Sequence, residues 1–183
     1  MAELGPYLSL DDFAQQVELK RQAVLQRLRN IPIAVLIWGP SASLPSPVAD
    51  ARTLLRIELR KRNVLATFSE DHYESTADIS IIGQQLADIE AHDIVFSIPD
   101  SAGSIAEIHD FARIPVLSGK IITFLDRRWC DGYSHATLIQ LESTASCRVN
   151  LYDACHLPDC IINAAINIVQ RLREIYYMAG RRW

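Results

Sequence analysis

Apolar residues fall along this chain in two alternating arrangements: short unbroken runs, and longer stretches in which they recur every third or fourth position. The segments Ile31 to Trp38, Val64 to Phe68, Ile94 to Ile98, Lys120 to Leu125 and Arg148 to Tyr152 read as strands. The first is rich in β-branched residues and stops at Gly39-Pro40-Ser41, the abrupt turn that follows a buried strand. Asp11 to Asn30 has helical spacing: Ser9 can cap it, Asp11 and Asp12 suit its positive end, and the stripe Phe13, Val17, Val24, Leu28 predicts packing against the main fold. Behind Pro45 and Pro47, Val48 to Arg62 repeats the pattern through Val48, Ala51, Leu55 and Leu59. Ile79, Ile82, Leu86 and Ile89 mark a further helix, Gly103 to Ala112 another, and Asp159 to Met178 a long last one. Parallel strands need long crossovers and hide both faces, so this alternation predicts a doubly wound α/β domain. Its parallel sheet has about five strands, with an additional N-terminal helix and a long C-terminal one.

At 183 residues the chain suits one domain, residues 1–183, with residues 1–30 as a helical extension and 31–183 as the α/β core. A net charge of -4 disfavours a general nucleic-acid scaffold while leaving room for a local basic patch. The start, Met1 to Pro6, lacks a basic and apolar leader, and Ile31 to Trp38 is too short to span a bilayer, which predicts a cytoplasmic protein without membrane attachment. Four cysteines form no dense framework. Cys155-His156 with Cys160 is a weak metal pattern, so neither a metal nor a cofactor is expected.

In a doubly wound sheet, ligands bind beyond the carboxyl ends of the strands at a topological switch point. Those ends carry Trp38-Gly39-Pro40-Ser41, Glu70-Asp71-His72-Tyr73, Pro99-Asp100-Ser101 and Asp126-Arg127-Arg128-Trp129. In Ile98-Pro99-Asp100-Ser101-Ala102-Gly103-Ser104, Gly103 permits close backbone approach. Ser101, Ser104 and the free amides of a helix start suit a phosphate or sugar hydroxyl. Glu107 lies about one turn into that helix, within reach of the same crevice, although Ser104-x-x-Glu107 is also a capping box. Trp38 is placed either to stack on a planar base or to pack in the core, and Asp93 either to orient a sugar or to cap a helix-to-strand turn. Arg127 and Arg128 suit a phosphate or a solvated turn.

The run PDSAGSIAEI around Glu107 resembles the glutamate motif of the nucleoside 2-deoxyribosyltransferase-like superfamily. The stretch IAVLIWGPS, Ile33 to Ser41, resembles that family's first strand and Gly-Pro turn. Ile89 to Val95, with Asp93, resembles its approach to the third strand, and the similarity spans Ile31 to about Tyr152. The serine-rich form also resembles glycosidases of bacterial anti-phage defence, including retron-associated effectors, and TIR-type NAD glycohydrolases carry a Glu on a comparable helix of a flavodoxin-like sheet. The resemblance implies cleavage of the N-glycosidic bond of a nucleoside, nucleotide or NAD-like substrate. Glu107 and Asp100 would be catalytic, and Trp38, Gly39, Pro40, Ser41, Asp93, Ser101, Gly103 and Ser104 would hold the substrate. It also implies a homo-oligomer and a reverse transcriptase or RNA as defence partner, the latter facing the run Arg56, Arg60, Lys61, Arg62.

The chemistry fits those residue types. Cleavage builds positive charge at the anomeric carbon, which the Glu107 carboxylate would stabilise or trap, while Asp100 would supply a proton to the leaving base if burial raised its pKa. Gly39-Pro40-Ser41 lacks the GKS/T ending of a phosphate-binding P-loop, and no GxGxxG follows the first strand, which argues against an ATPase or a dehydrogenase. Phosphoribohydrolases with a PGGxGT run are a distant second, since the run is missing. The non-enzymatic alternative is a nucleotide-sensing or assembly module that uses the same rim, with Glu107 as a cap.

Overall fold

The computed structural model of the chain describes residues 9–76, 78–129, 132, 136–138, 140, 142 and 146–180, with the side chains of Ala102, Gly103, Ala106 and Glu107 outside that description. The five strands β1 (Ile33–Trp38), β2 (Val64–Phe68), β3 (Ile94–Ser97), β4 (Ile121–Asp126) and β5 (Arg148–Tyr152) form one sheet in the order β2-β1-β3-β4-β5. Every neighbouring pair is parallel. The helices are α1 (Leu10–Arg29), α2 (Pro47–Arg60), α3 (Ile81–Ala91), α4 (Ala102–Ala112), α5 (Pro115–Ser118) and α6 (Asp159–Met178). The expected doubly wound α/β architecture is therefore present, and β1 and β3 flank its switch point.

Strand alternation divides the core in two. Ile33, Val35 and Ile37 of β1 join Phe96, Phe124 and the inner stripes of α2 and α6, whereas Leu36 and Trp38 join Ile89, Ile108, Phe111 and Leu117 on the opposite face. Local chemistry sets the helix starts. Ser9 and Asp12 form a reciprocal capping box, Ser46 caps α2 ahead of Pro47, and Ser80 caps α3 through the amide of Gly83.

Helix α1 packs against the main fold, as expected, through α6, but it buries only Leu28 of its stripe and leaves Phe13 59% exposed. One expectation is corrected here. Helix α3 begins after Ser80, which leaves Ile79 ahead of it and exposed together with Ile82, so that only Ile89 from that stripe is fully buried. Among the described residues no helix is long and apolar enough to cross a membrane.

Candidate functional site at the carboxyl rim

The pairing of β1 with β3 brings Trp38 into register with Ser97, and the Ile98 amide donates to the Trp38 carbonyl at 3.0 Å. The two segments that leave these strands, Gly39-Pro40-Ser41 and Pro99-Asp100-Ser101, thus start side by side at the switch point. Gly39 has a φ of +154°, and a Cβ there would lie 3.0 Å from the Ile98 carbonyl oxygen and 3.1 Å from Cδ of Arg52. Only glycine accommodates this approach without displacing a strand.

Arg52 is a residue that the sequence pattern had concealed. It is fully buried on α2, and its guanidinium donates to the carbonyls of Ile37 (2.8 Å) and Pro40 (2.9 Å) and to both carboxylate oxygens of Glu70 (2.6 and 2.7 Å). It also lies 3.9 Å from the Phe68 ring centroid. One side chain therefore ties the end of β1, the turn after it and the segment after β2 together. Burial works to raise the pKa of Glu70, but the Arg52 hydrogen bonds outweigh it and hold the carboxyl below its ordinary value. Two buried N–H donors beside Gly39, Nε of Arg52 and Nε1 of Trp38, find no acceptor among the described residues.

On the β3 side of the switch point, Ser101 is the N-cap of α4 and Ser104 its third residue. Each serine satisfies the other. Ser101 Oγ accepts from the Ser104 amide (3.3 Å), the Ser101 amide donates to Ser104 Oγ (3.2 Å), and the Ser104 hydroxyl donates to the Ser101 carbonyl (2.9 Å). The capping box is thus Ser101 with Ser104, not Ser104 with Glu107, which corrects the sequence expectation. Gly103 lies in the first turn of α4 and Glu107 is its sixth residue; the Glu107 side chain is outside the described residues. By helical spacing, position 107 shares a face with positions 103 and 104.

Three further expectations change. Trp38 is 4% exposed and packs against Phe111 with ring centroids 5.5 Å apart, so it is a core residue and not an open stacking surface. The open indole on the rim is that of Trp129, 67% exposed just after β4. Asp93 stands before β3, at the amino edge of the sheet, where its carboxylate accepts from the Ala34 amide and the Tyr176 hydroxyl, both at 2.8 Å; it fastens strands and α6 far from the rim. Asp100 is on the rim but exposed, so the desolvation assumed for its proton-donating role is missing. Ser41 is exposed at the turn, its hydroxyl bonded to that of Ser43 at 2.9 Å.

The cations after β4 are also engaged. Arg127 pairs with Asp153 at 3.2 Å, and Arg128 holds buried Asp126 through its side chain and its backbone amide. Burial pushes the Asp126 pKa up, and the Arg128 hydrogen bonds more than reverse it, keeping the carboxyl ionised below its usual range. Beside them Tyr152 is pushed up to about 12, first by burial, then by the negative charge of Asp126, with Arg128 pulling the other way and Asp100 adding a smaller push. Cys155 and His156 approach to 3.8 Å, and among the described residues no third His, Cys, Asp or Glu completes a metal-binding group. In the basic run of α2, Arg56 pairs with Asp71 (3.1 Å), Arg60 donates to the Ala66 carbonyl (2.9 Å), and Lys61 and Arg62 share Glu58.

The Tyr152 environment predicts a pH effect. The folded state holds this phenol proton to about pH 12 whereas an unfolded tyrosine releases it near 10, so the stabilisation is intact below about pH 10 and declines as the pH climbs towards 12. Spectrophotometric titration of the tyrosinate band should show a phenol titrating about two units late, absent in Tyr152→Phe. A variant titration identical to the wild type contradicts the assignment.

In comparisons with known proteins, no family model and no curated protein matches the chain.

Proposed function

We propose that the protein is an N-glycosidase or deoxyribosyltransferase-like enzyme that cleaves the bond between sugar and base in a nucleoside, nucleotide or NAD-like substrate, with Glu107 acting at the anomeric carbon. One observation carries the reading: the strand order sets the Gly39-Pro40-Ser41 turn beside the Asp100 to Ser104 helix start across the switch point, with position 107 one further turn along the same helical face. The close packing of Gly39 against Ile98 and Arg52 holds the turn beside the segment that leaves β3, and Trp129 offers the exposed aromatic surface on which a planar base stacks. Asp100, exposed just after β3, is the rim group that would give the leaving base a hydrogen bond. An anti-phage role is part of this reading through resemblance alone.

The test is chromatography of nucleosides, deoxynucleotides and NAD after incubation with purified protein. Free base or nicotinamide is expected, and its absence across all three substrate classes overturns the reading. The mutual satisfaction of Ser101 and Ser104 favours one competitor, a module that binds nucleotides without turnover, because those hydroxyls are already occupied in capping.

We also propose self-association through α1. Leu10, Phe13, Leu19 and Leu25 are exposed on it; Asp11, Asp12 and Glu18 lie in its first half and Lys20, Arg21 and Arg27 in its second. An antiparallel pair of α1 helices from two copies sets acidic halves against basic ones. Light scattering should give twice the chain mass, falling to a single chain in Phe13→Asp with Leu25→Asp. A wild type that stays monomeric at about 100 μM, far above the dissociation constant of a stable dimer, overturns it.

A further inference from the structure

On the side of the sheet opposite the rim, a cavity of about 750 Å³ opens between the end of α1, the end of α2 and the middle of α6. That volume falls in the range of small-molecule sites. We propose that it binds a phosphate-bearing organic anion of mononucleotide size.

The carrying feature is Arg173. It is 3% exposed, lies on the inner stripe of α6, and donates to the carbonyls of Ile31 (3.0 Å), Arg62 (2.9 Å) and Asn63 (2.9 Å). These bonds serve the Nε and Nη2 N–H groups but bring no negative charge, and among the described residues no carboxylate lies within ion-pair distance of it. A buried charge without a counter-charge is expensive, and evolution normally supplies one. Arg29 stands on the same wall, also without an ion pair among the described residues. Burial, and after it the positive charge of Arg29, lowers the pKa of Arg173, as expected where two guanidinium groups face one space.

The charge balance favours a ligand over a structural explanation. Lys61 and Arg62 share a single carboxylate, Glu58, at 2.7 and 2.6 Å. Basic residues at helix ends offset the negative end of the dipole, but two helix ends contribute only about one negative charge between them. The four cations Arg29, Lys61, Arg62 and Arg173, set against Glu58 and those two helix ends, leave about two positive charges facing the cavity. A phosphate monoester carries about two negative charges at neutral pH, and planar guanidinium groups grip its oxygens in pairs. Asn63 and Asn167 add amide donors, and Val64 and Ile166 an apolar wall, so the cavity suits the organic part of a nucleotide as well as its phosphate.

The experiment is isothermal titration calorimetry of the full chain with AMP, with adenosine and inorganic phosphate as separate arms. AMP should bind, adenosine should not, and inorganic phosphate should bind more weakly than AMP. Arg29→Glu and Arg62→Glu, both exposed and on different helices or their ends, should each weaken AMP binding at least tenfold with circular dichroism unchanged. Phosphate binding equal to that of AMP would assign the site to the free ion and overturn the nucleotide class. Absence of AMP binding at millimolar concentration, or binding untouched by both charge reversals, overturns the proposal altogether. The charge reversals at Arg29 and Arg62 alter this cavity and not the rim, whereas Glu107→Gln alters the rim alone, so the two readings fail separately.

Discussion

Arg52→Ala should lower the unfolding free energy by about 3 kcal/mol, the cost of leaving buried hydrogen-bond partners and a half-buried carboxylate unsatisfied. In a chain of this length that amounts to a fall in Tm of roughly 6–12 °C. The loss has several sources: the carbonyls of Ile37 and Pro40 lose their donor, Glu70 loses both bonds to its carboxylate, and the Phe68 ring loses the cation above it. Arg52→Lys should recover only part of it, since one ammonium cannot reach four acceptors arranged for a planar fork. Glu70→Gln should cost less than Arg52→Ala, because Glu70 is 47% exposed in its side chain and water replaces some of what is lost. The pair also has an acid signature. The folded-state pKa of Glu70 is depressed, so its contribution is present above the ordinary carboxylate range and disappears as the pH falls through the lowered value. Arg52→Ala should therefore lose less stability between neutral and acid pH than the wild type does. Denaturant unfolding with a midpoint within experimental error of the wild type would show that Arg52 does not hold the switch point together.

The reasons Arg52 escaped the sequence reading also explain what else was and was not legible. It sits four residues after Val48 and three before Leu55, squarely on the apolar stripe of α2, yet an arginine in a helix reads as solvent-facing unless its position is weighed above its charge. The strands and their order of occurrence were legible because parallel strands covered on both faces must be continuous apolar runs. That same continuity hid the direction of Trp38. In β1 every residue is apolar, so nothing in the composition distinguishes the core face from the rim, and alternation alone sends Trp38 to the side of Phe111. Asp93 was misplaced for a geometric reason: it precedes β3, and in an all-parallel sheet everything that precedes a strand gathers at the edge opposite the ligand crevice. The amphipathic pattern of α1 shows a helix that packs against the main fold, but not how much of the stripe is covered, since a stripe states only that an apolar face wants cover and does not name what covers it.

Glu107→Gln should reduce turnover at least on the order of 10³-fold while leaving substrate affinity within a factor of a few, which is the pattern expected when a group acts in the transition state and contributes little to ground-state binding. Glutamine keeps the size and one oxygen of glutamate but lacks the negative charge that an oxocarbenium-like sugar requires, and it is a poor nucleophile for a covalent ester. The substitution sits at the sixth position of an eleven-residue helix, beyond the Ser101–Ser104 cap, so the helix start and its amides remain formed and a folding defect is not expected. That separation from the cap gives the experiment its discriminating power. Had the capping box involved Glu107, its replacement would disturb the helix start, and lost activity would have two explanations; with the box closed by two serines, a loss of turnover at unchanged Tm isolates the carboxylate chemistry. Ser101→Ala provides the complement. It removes the cap, should cost about 1 kcal/mol of stability, and should affect binding through the helix start before it affects the bond-breaking step. Wild-type cleavage rates in Glu107→Gln would move the catalytic role to another rim carboxylate, with exposed Asp100 as the group to substitute next.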